Sequence, residues 1–446
     1  MTVPVEKLPK PSQKMRFFAT TAKAMEELLV GELESFGATN VQATRAGASF
    51  EGDLEVAYRA CLHSRVANRI LLPLRSFAAP TPEKLYGGVK AIRWMDHLEP
   101  EGTLAVDFSS SRSEITHTHF GALKVKDAIV DQMRSNYGVR PSVRIDRPDI
   151  RVNVYLHEDN AQVSLDLSGE SLHLRGWREE GSKAPLKENL ASAILMLADW
   201  PKIAAEGGGF VDPMCGSGTL PIEAAFQATG TPPGALRTYF GFLGWKQHSP
   251  EAWSKVKKAA MRGTEPGSAA AGLGTEPGLR AAGLGTEPGL RGAAGLGTEQ
   301  LSRQGIETNA AGVRVRRRSK NGPIIGYDSD FRSVRVGLEN IEQAGFRGRV
   351  HIEKRELALC ERPDAEKGII VVNPPYGERL GRGEEEELRA LYGRIGDLFK
   401  QKFKGWTGYV ITSNADLAKH IGLKATRRHV LYNGALECRL LRFDLY

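Results

Sequence analysis

Short apolar runs separated by polar turns recur through the second half of this chain, and their spacing predicts strands alternating with helices. Gly368-Ile369-Ile370-Val371-Val372 has no polar side chain and reads as a buried strand. Phe210-Val211 ends a shorter apolar run, and Leu220 to Phe226, with Pro221 near the first turn, reads as the start of a helix. Gly322-Pro323-Ile324-Ile325-Gly326-Tyr327-Asp328 and Val350-His351-Ile352-Glu353 follow as a second and third strand, with a helix around Val334 to Ala344 between them. The first half is more mixed. Met15 to Thr20 is strand-like, and Ala24 to Phe36 is helical with Met25, Leu28, Leu29, Leu33 and Phe36 on one side. Ala48 to Gly52 predicts a strand, after which Asp53 caps a helix through Tyr58 and Leu62. Thr103 to Phe108 alternates as a half-buried strand, and Val125 to Met133 is helical. Arg151 to Leu156 and Ala161 to Asp166 form a hairpin around Asp159-Asn160. Leu190 to Leu197 is a further helix.

Two motifs sit where these elements place ligands, at the carboxyl ends of strands in an open α/β sheet. Asp212-Pro213-Met214-Cys215-Gly216-Ser217-Gly218-Thr219 joins strand to helix. Gly216 and Gly218 let the backbone approach a ligand without a Cβ, and Asp212 is an acceptor at the strand end. The glycine spacing is not a dinucleotide fingerprint, and no phosphate-loop lysine is present. A cofactor without a pyrophosphate and with a positive charge fits better, and S-adenosyl-L-methionine is one. Asn373-Pro374-Pro375-Tyr376 follows the all-apolar strand. A conjugated exocyclic amine is a poor nucleophile because its lone pair is delocalised. The Asn373 side-chain carbonyl and the Pro374 backbone carbonyl are acceptors for its two N–H bonds, and neither proline has an N–H to compete. Tyr376 offers a ring for a planar base.

With these motifs the chain resembles the Rossmann-like methyltransferases that carry N-P-P-Y, and within them the THUMP-domain 23S ribosomal RNA guanine-N2 methyltransferases. The blocks that carry the resemblance are D-P-M-C-G-S-G-T from Asp212 and N-P-P-Y-G-E-R-L from Asn373. K-V-K-D-A-I-V-D from Lys124, R-P-D-I-R-V-N-V from Arg147 and S-L-D-L-S-G-E-S-L-H-L-R-G-W-R from Ser164 add to them. The resemblance implies an α/β chain: a tail over 1–14, a ferredoxin-like domain over 15–74 and an α/β THUMP RNA-binding domain over 75–167. A linker and leading helix over 168–205 and a methyltransferase domain over 206–446 follow. It implies that Asp328 binds ribose hydroxyls, with Asp330 either a competitor or a helix cap. Glu356 falls near the adenine ring, where relatives more often have Asp. Pro213, Cys215, Gly216, Ser217, Gly218 and Thr219 complete the cofactor loop, with Cys215 a small filler. Glu378 and Arg379 belong to the site, and Lys187, Glu188 and Asn189 lie beside it. Asn373, Pro374 and Tyr376 act directly on the base, and Asn373 also belongs to the cofactor-binding set. Some relatives carry a second methyltransferase domain; this sequence ends at Tyr446, so a single activity is expected.

Composition adds partners and compartment. The chain has 446 residues, enough for about two or three domains, and a net charge of +8 that favours a polyanionic partner. RNA contacts are expected from Lys124, Lys126, Arg175, Trp177, Arg178 and Arg379, with Arg112, Arg144, Arg147 and Arg151 adding to the basic bias. Trp177 is read either as a stacking platform or as a linker residue packed on the methyltransferase. Cys61, Cys215, Cys360 and Cys438 form no C-x-x-C pair, which argues against a structural metal and for a reducing cytoplasm. No apolar run approaches the roughly 20 residues of a membrane helix. Residues 263–312 repeat Thr-Glu-Pro-Gly from Thr264, Thr275 and Thr286, and their prolines and glycines predict a disordered insertion. The basic run Arg314 to Lys320 is either a solvated flank or an RNA contact. The expected activity is S-adenosylmethionine-dependent methylation of guanine N2 in 23S ribosomal RNA. The alternatives are the same chemistry on tRNA, or a non-catalytic RNA-binding assembly factor.

Overall fold

The structure, a computed structural model, describes residues 14–178, 186–263, 306–308, 314–316, 322–376 and 382–446. The chain divides into two compact units, 1–175 with 237–256 and 176–236 with 257–446.

The N-terminal unit begins with β1 (Met15–Thr21), α1 (Glu26–Ser35), β2 (Thr39–Thr44), β3 (Gly47–Gly52), α2 (Leu54–His63) and β4 (Ala67–Ala78). Asp53 caps α2 as expected, its Oδ1 accepting from the Val56 N–H at 3.0 Å. Then come α3 (Pro82–Lys90), β5 (Thr103–Ser111), α4 (Thr118–Tyr137), β6 (Ser142–Val143), β7 (Ile150–His157) and β8 (Asn160–Asp166). All eight strands share one sheet, ordered β2-β3-β1-β4-β8-β7-β5-β6. β4 joins the two modules: Ile70 faces Ala19 of β1, and Ala78 faces Asn160 of β8. A boundary between residues 74 and 75 therefore falls inside a continuous strand. Pro73 is tolerated because the β4–β8 register shifts between Pro73 and Arg75. The β7–β8 hairpin turns at Glu158 and Asp159, with φ of 47° and 56°. That is one residue earlier than expected, because Asn160 already pairs with His157.

Residues 237–256, which lie within the expected methyltransferase domain, pack with the N-terminal compact unit. The reason is aromatic packing. Phe242 lies 4.2 Å from Tyr58 between ring centroids, and Trp253 meets Tyr58 edge-on at 5.9 Å. The Tyr58 hydroxyl sits 2.9 Å from His248 Nδ1.

The second unit contains α5 (Glu188–Leu197), α6 (Trp200–Ala205), β9 (Gly209–Asp212) and α7 (Thr219–Ala228). The helix α8 (Pro250–Gly263) carries the boundary between the units. A separate ribbon pairs β10 (Ile306–Thr308) with β11 (Arg314–Arg316). The expected insertion over 263–312 thus has one described strand, at 306–308, and is otherwise outside the described residues apart from 263. Then follow β12 (Ile324–Asp328), α9 (Phe331–Gln343), β13 (Val350–Lys354), β14 (Gly368–Val372) and α10 (Arg382–Lys402). β15 (Thr407–Thr412), α11 (Ala415–Lys419), β16 (Arg427–Asn433) and β17 (Leu436–Asp444) end the chain.

The sheet of this unit runs β13-β12-β9-β14-β15-β17-β16. The strands from β13 to β15 are parallel, and β17 runs against β15. All five residues of β14 are buried, as its apolar run predicts. Full burial of each such aliphatic side chain contributes about 1.5–3 kcal/mol. Tyr392, Ile395 and Phe399 of α10 pack into the same core as Ile370 and Val372. Successive strands move outward in opposite directions from the β9–β14 pair. A crevice outside the carboxyl ends of β9 and β14 is therefore the ligand position of this topology. No described helix is long and apolar enough to cross a membrane.

Candidate active site

The β9–α7 connection is shaped by its glycines. Gly216 and Gly218 adopt φ of 53° and 84°, a region costly to residues with a Cβ. A Cβ on Gly216 would meet no atom within 4 Å, so the loop leaves open space on that side. Three groups hold the loop in place. Asp328 Oδ2 accepts from the Gly216 N–H at 2.9 Å. Asn340 on α9 donates to the Ser217 carbonyl at 2.9 Å. The Arg178 guanidinium donates to Ser217 Oγ at 3.1 Å, to Thr219 Oγ1 at 2.7 Å and to Glu188 Oε1 at 2.8 Å.

Asp212 ends β9 and is 1% exposed, its Oδ1 accepting from the Met214 N–H at 3.1 Å. Burial raises its carboxyl well above the usual range, and the neighbouring Asp328 charge raises it further, against the Met214 hydrogen bond. Among the described residues neither Asp212 nor Asp328 has an ion-pair partner. Pro213, Met214, Asp328, Arg355, Glu356 and Arg394 line one pocket of about 180 Å³, joining the ends of β9, β12 and β13, with Arg355 paired to Glu353 at 2.7 Å. Two unpaired carboxylates, an open glycine loop and a small pocket fit a cofactor with a cationic centre and hydrogen-bond donors. Asp328 is already engaged by Gly216 and by the Asp330 N–H at 2.9 Å. An ionised carboxylate has about four acceptor positions, so capacity for a ligand hydroxyl remains. Asp330 caps α9 by accepting from the Arg332 and Ser333 N–H groups at 3.2 and 3.1 Å. Cys215 is buried, and burial raises its thiol well above the ordinary range, with Asp212 and Asp328 adding to the effect. It packs as a neutral small side chain.

The Asn373 loop lies next to this crevice, since β14 pairs directly with β9. Pro374 is buried, and Asn373 and Tyr376 are half-buried. The Tyr376 hydroxyl donates to Asn373 Oδ1. The fully buried Tyr392 supports the loop, its hydroxyl donating to the Pro375 carbonyl at 3.4 Å and lying 2.9 Å from Thr412 Oγ1.

Several side chains expected to contact RNA have partners within the protein. Arg175 is 1% exposed and donates to the carbonyls of Leu172 and Arg65, so its cation is turned inward. Trp177 is fully buried and carries the Arg178 guanidinium 4.8 Å from its ring centre, which agrees with the packed-linker reading. Arg178 serves the glycine loop, as its three bonds show. Arg151 pairs with Asp107 at 3.0 Å, and Arg112 with Glu158 at 3.5 Å. Lys124 stands 5.6 Å over the exposed ring of Phe120, and Lys126 pairs with Asp127 at 2.6 Å. Arg144 and Arg147 are exposed. Glu378 and Arg379 lie outside the described residues, as do Arg317 to Lys320. Glu188 and Asn189 are buried beside the loop, and Lys187 precedes α5 without capping it. Sequence reasoning missed Asn340 and Tyr392. A buried polar residue on an otherwise apolar helix face was the available signal for each.

The family described as "RMKL-like, methyltransferase domain" matches residues 175–442. A THUMP domain matches 79–166, and an RlmL ferredoxin-like domain matches 16–71. A relative from Methylococcus capsulatus, named ribosomal RNA large subunit methyltransferase K/L, is 49% identical over 96% of this chain and 51% of its own length. A relative of the same name from Syntrophotalea carbinolica is 46% identical over 97% of this chain and 54% of its own. The chain thus spans about half the length of these curated relatives. Among solved structures, the putative methyltransferase SMU.472, complexed with SAH, superposes with a TM-score of 0.76 at 26% identity. It covers 97% of this chain and 98% of its own.

Proposed function

We propose a function from one premise: the chain belongs to the RMKL-like methyltransferase family. It uses S-adenosyl-L-methionine to methylate the exocyclic N2 amine of a guanine in 23S ribosomal RNA. The observation that carries this reading is the position of Asn373-Pro374-Pro375-Tyr376 at the carboxyl end of β14, beside the acidic, glycine-lined end of β9. The printed names of the curated relatives support the large-subunit RNA, and the SAH complex of SMU.472 supports the cofactor.

S-adenosylmethionine would supply an electrophilic methyl on a sulfonium. Asp212 and Asp328 would hold its cationic and hydroxyl groups, with Glu356 at the far end of the pocket. The main-chain atoms of residues 215–219 would border it. The target guanine must leave its stack to reach the loop. Asn373 Oδ1 and the Pro374 carbonyl then accept the two N2–H bonds, orienting the amine and drawing its nitrogen toward a tetrahedral shape. The Tyr376 ring packs against the base. No side chain need bond covalently to the substrate, and Cys215 is buried and neutral. Positioning and fixed dipoles account for the rate gain.

The test compares wild type with Asn373→Ala and Asp212→Asn, using labelled cofactor and unmodified 23S ribosomal RNA. Asn373→Ala is expected to lose at least about 100-fold in kcat with cofactor and RNA binding retained, the scale of a preorganised polar group. Asp212→Asn is expected to weaken cofactor binding. Unchanged turnover in Asn373→Ala would refute the assignment.

A further inference from the structure

A second cavity opens on the same unit, beyond the site described. It has a volume of about 260 Å³, an apolar floor that includes Leu423, Leu441 and Phe443, and a rim carrying Lys424, Arg428 and Arg439. Lys419 also lines it but pairs with Asp416 at 2.7 Å. Among the described residues Lys424, Arg428 and Arg439 make no ion pair, and no acidic side chain lines the cavity. Like charges gathered around a concavity without internal compensation create a local positive potential.

The sheet register fixes where this cavity lies. Arg439 is directly opposite Thr412 at the carboxyl end of β15, and Arg428 is opposite Leu441. Arg428, Leu441 and Arg439 therefore project from one face, with Leu441 directly across from Arg428 and two residues from Arg439 along β17. β15 is the neighbour of β14, so the Thr412–Arg439 end of the cavity lies on the same carboxyl edge as the Asn373 loop. One buried side chain spans the two: Tyr392 touches the Pro375 carbonyl on one side and Thr412, a cavity residue, on the other.

We propose that this cavity binds the phosphodiester backbone of the substrate RNA strand next to the target base. Arg428, Arg439 and Lys424 contact phosphate oxygens, and the apolar floor accommodates a sugar. The proposal rests on the RNA-methyltransferase reading above. Backbone phosphates fit better than a small anion, because three cations are spread around the rim of the cavity rather than gathered at one point.

The experiment measures binding of a short labelled single-stranded RNA by fluorescence anisotropy across a salt series, for wild type and Arg428→Ala/Arg439→Ala. Arg335→Ala/Arg347→Ala, which removes the same charge from exposed positions around α9, is the control. Both cavity arginines are exposed, and thermal unfolding checks that the variant folds. The cavity variant is expected to bind RNA at least about tenfold more weakly. Its salt slope should fall by about 1.4, from two lost phosphate contacts at roughly 0.7 each for single strands. Cofactor affinity should not change. A loss no larger than the control's would overturn the proposal, as would equal protection of wild type and variant from arginine-directed reagents by the RNA. Competition by inorganic phosphate at concentrations too low for ionic screening would also overturn it, since that marks a small-anion site. The readout needs no methyl transfer. If 23S RNA is not methylated yet the variant loses RNA affinity, the cavity stands and the substrate assignment falls. If methylation occurs and affinity is unchanged, the reverse holds.

Discussion

The phenolic hydroxyl of Tyr376 donates a hydrogen bond to the side-chain carbonyl of Asn373, three residues earlier in the same loop. Under the proposed function the substrate amine competes with this hydroxyl for Asn373 Oδ1, which has two acceptor positions, and the ring serves as a platform for the base.

Tyr376→Phe removes the competing hydroxyl and keeps the ring, so kcat/KM should stay within about threefold of wild type. Tyr376→Ala removes the platform as well. Loss of a base–aromatic stack costs about 1–3 kcal/mol, roughly 5- to 150-fold in kcat/KM. Steady-state kinetics of both variants checks this. Equal damage from the two would show that the hydroxyl, not the ring, does the work.

Arg178 holds Ser217, Thr219 and the buried Glu188 together. A lysine keeps the charge but cannot reproduce a planar fork to three acceptors. Arg178→Lys is therefore expected to weaken cofactor binding about tenfold in calorimetric titration, with RNA affinity unchanged. Lost RNA affinity with normal cofactor binding would restore the RNA-contact role.

The two loop glycines should separate cofactor binding from folding. A Cβ on Gly216 meets open space, so Gly216→Ala costs about 1–2 kcal/mol of backbone strain but intrudes where the cofactor approaches. A Cβ on Gly218 would stand 2.9 Å from Ile352 Cδ1, adding a clash to the strain. Thermal unfolding should show the larger loss for Gly218→Ala. Cofactor titration should show at least a tenfold loss for Gly216→Ala. A Gly216→Ala protein with wild-type cofactor affinity would contradict the placement.

Where local chemistry decides structure, the sequence was legible. The apolar run 368–372, the glycine loop after Asp212 and the cap at Asp53 each depend on neighbours in the chain, and each formed where expected. The failures involve partners distant in sequence. Nothing near Phe242 or Trp253 reveals that Tyr58 is their packing partner. Nothing in Arg175 or Arg178 tells whether internal carbonyls and hydroxyls already satisfy the cation. β2 was missed because its residues are largely exposed, leaving no apolar alternation to read. Asp330 was left open between ligand and cap, and only the Arg332 and Ser333 N–H groups decided it.

In the N-terminal unit, Trp245 Nε1 donates to His97 Nδ1 at 3.1 Å, which requires an unprotonated Nδ1. Burial lowers the His97 imidazole to about 4. An unfolded histidine titrates near 6.5, so between about pH 6.5 and 4 the unfolded state binds more protons. This stability is fully present above about pH 6.5 and is lost as pH falls toward 4. His63, also lowered to about 4 by burial, acts in the same direction. Urea unfolding at about pH 7.5 and about pH 5 should show the loss in wild type and a smaller one in His97→Gln. Identical pH dependence in both proteins would contradict the assignment.

The decisive measurement is identification of the methylated nucleoside by mass spectrometry, after incubating the chain with S-adenosylmethionine and, in parallel, unmodified 23S ribosomal RNA and unmodified tRNA. The account predicts N2-methylguanosine in the 23S RNA alone. A methylated adenosine, or N2-methylguanosine confined to tRNA, would contradict it.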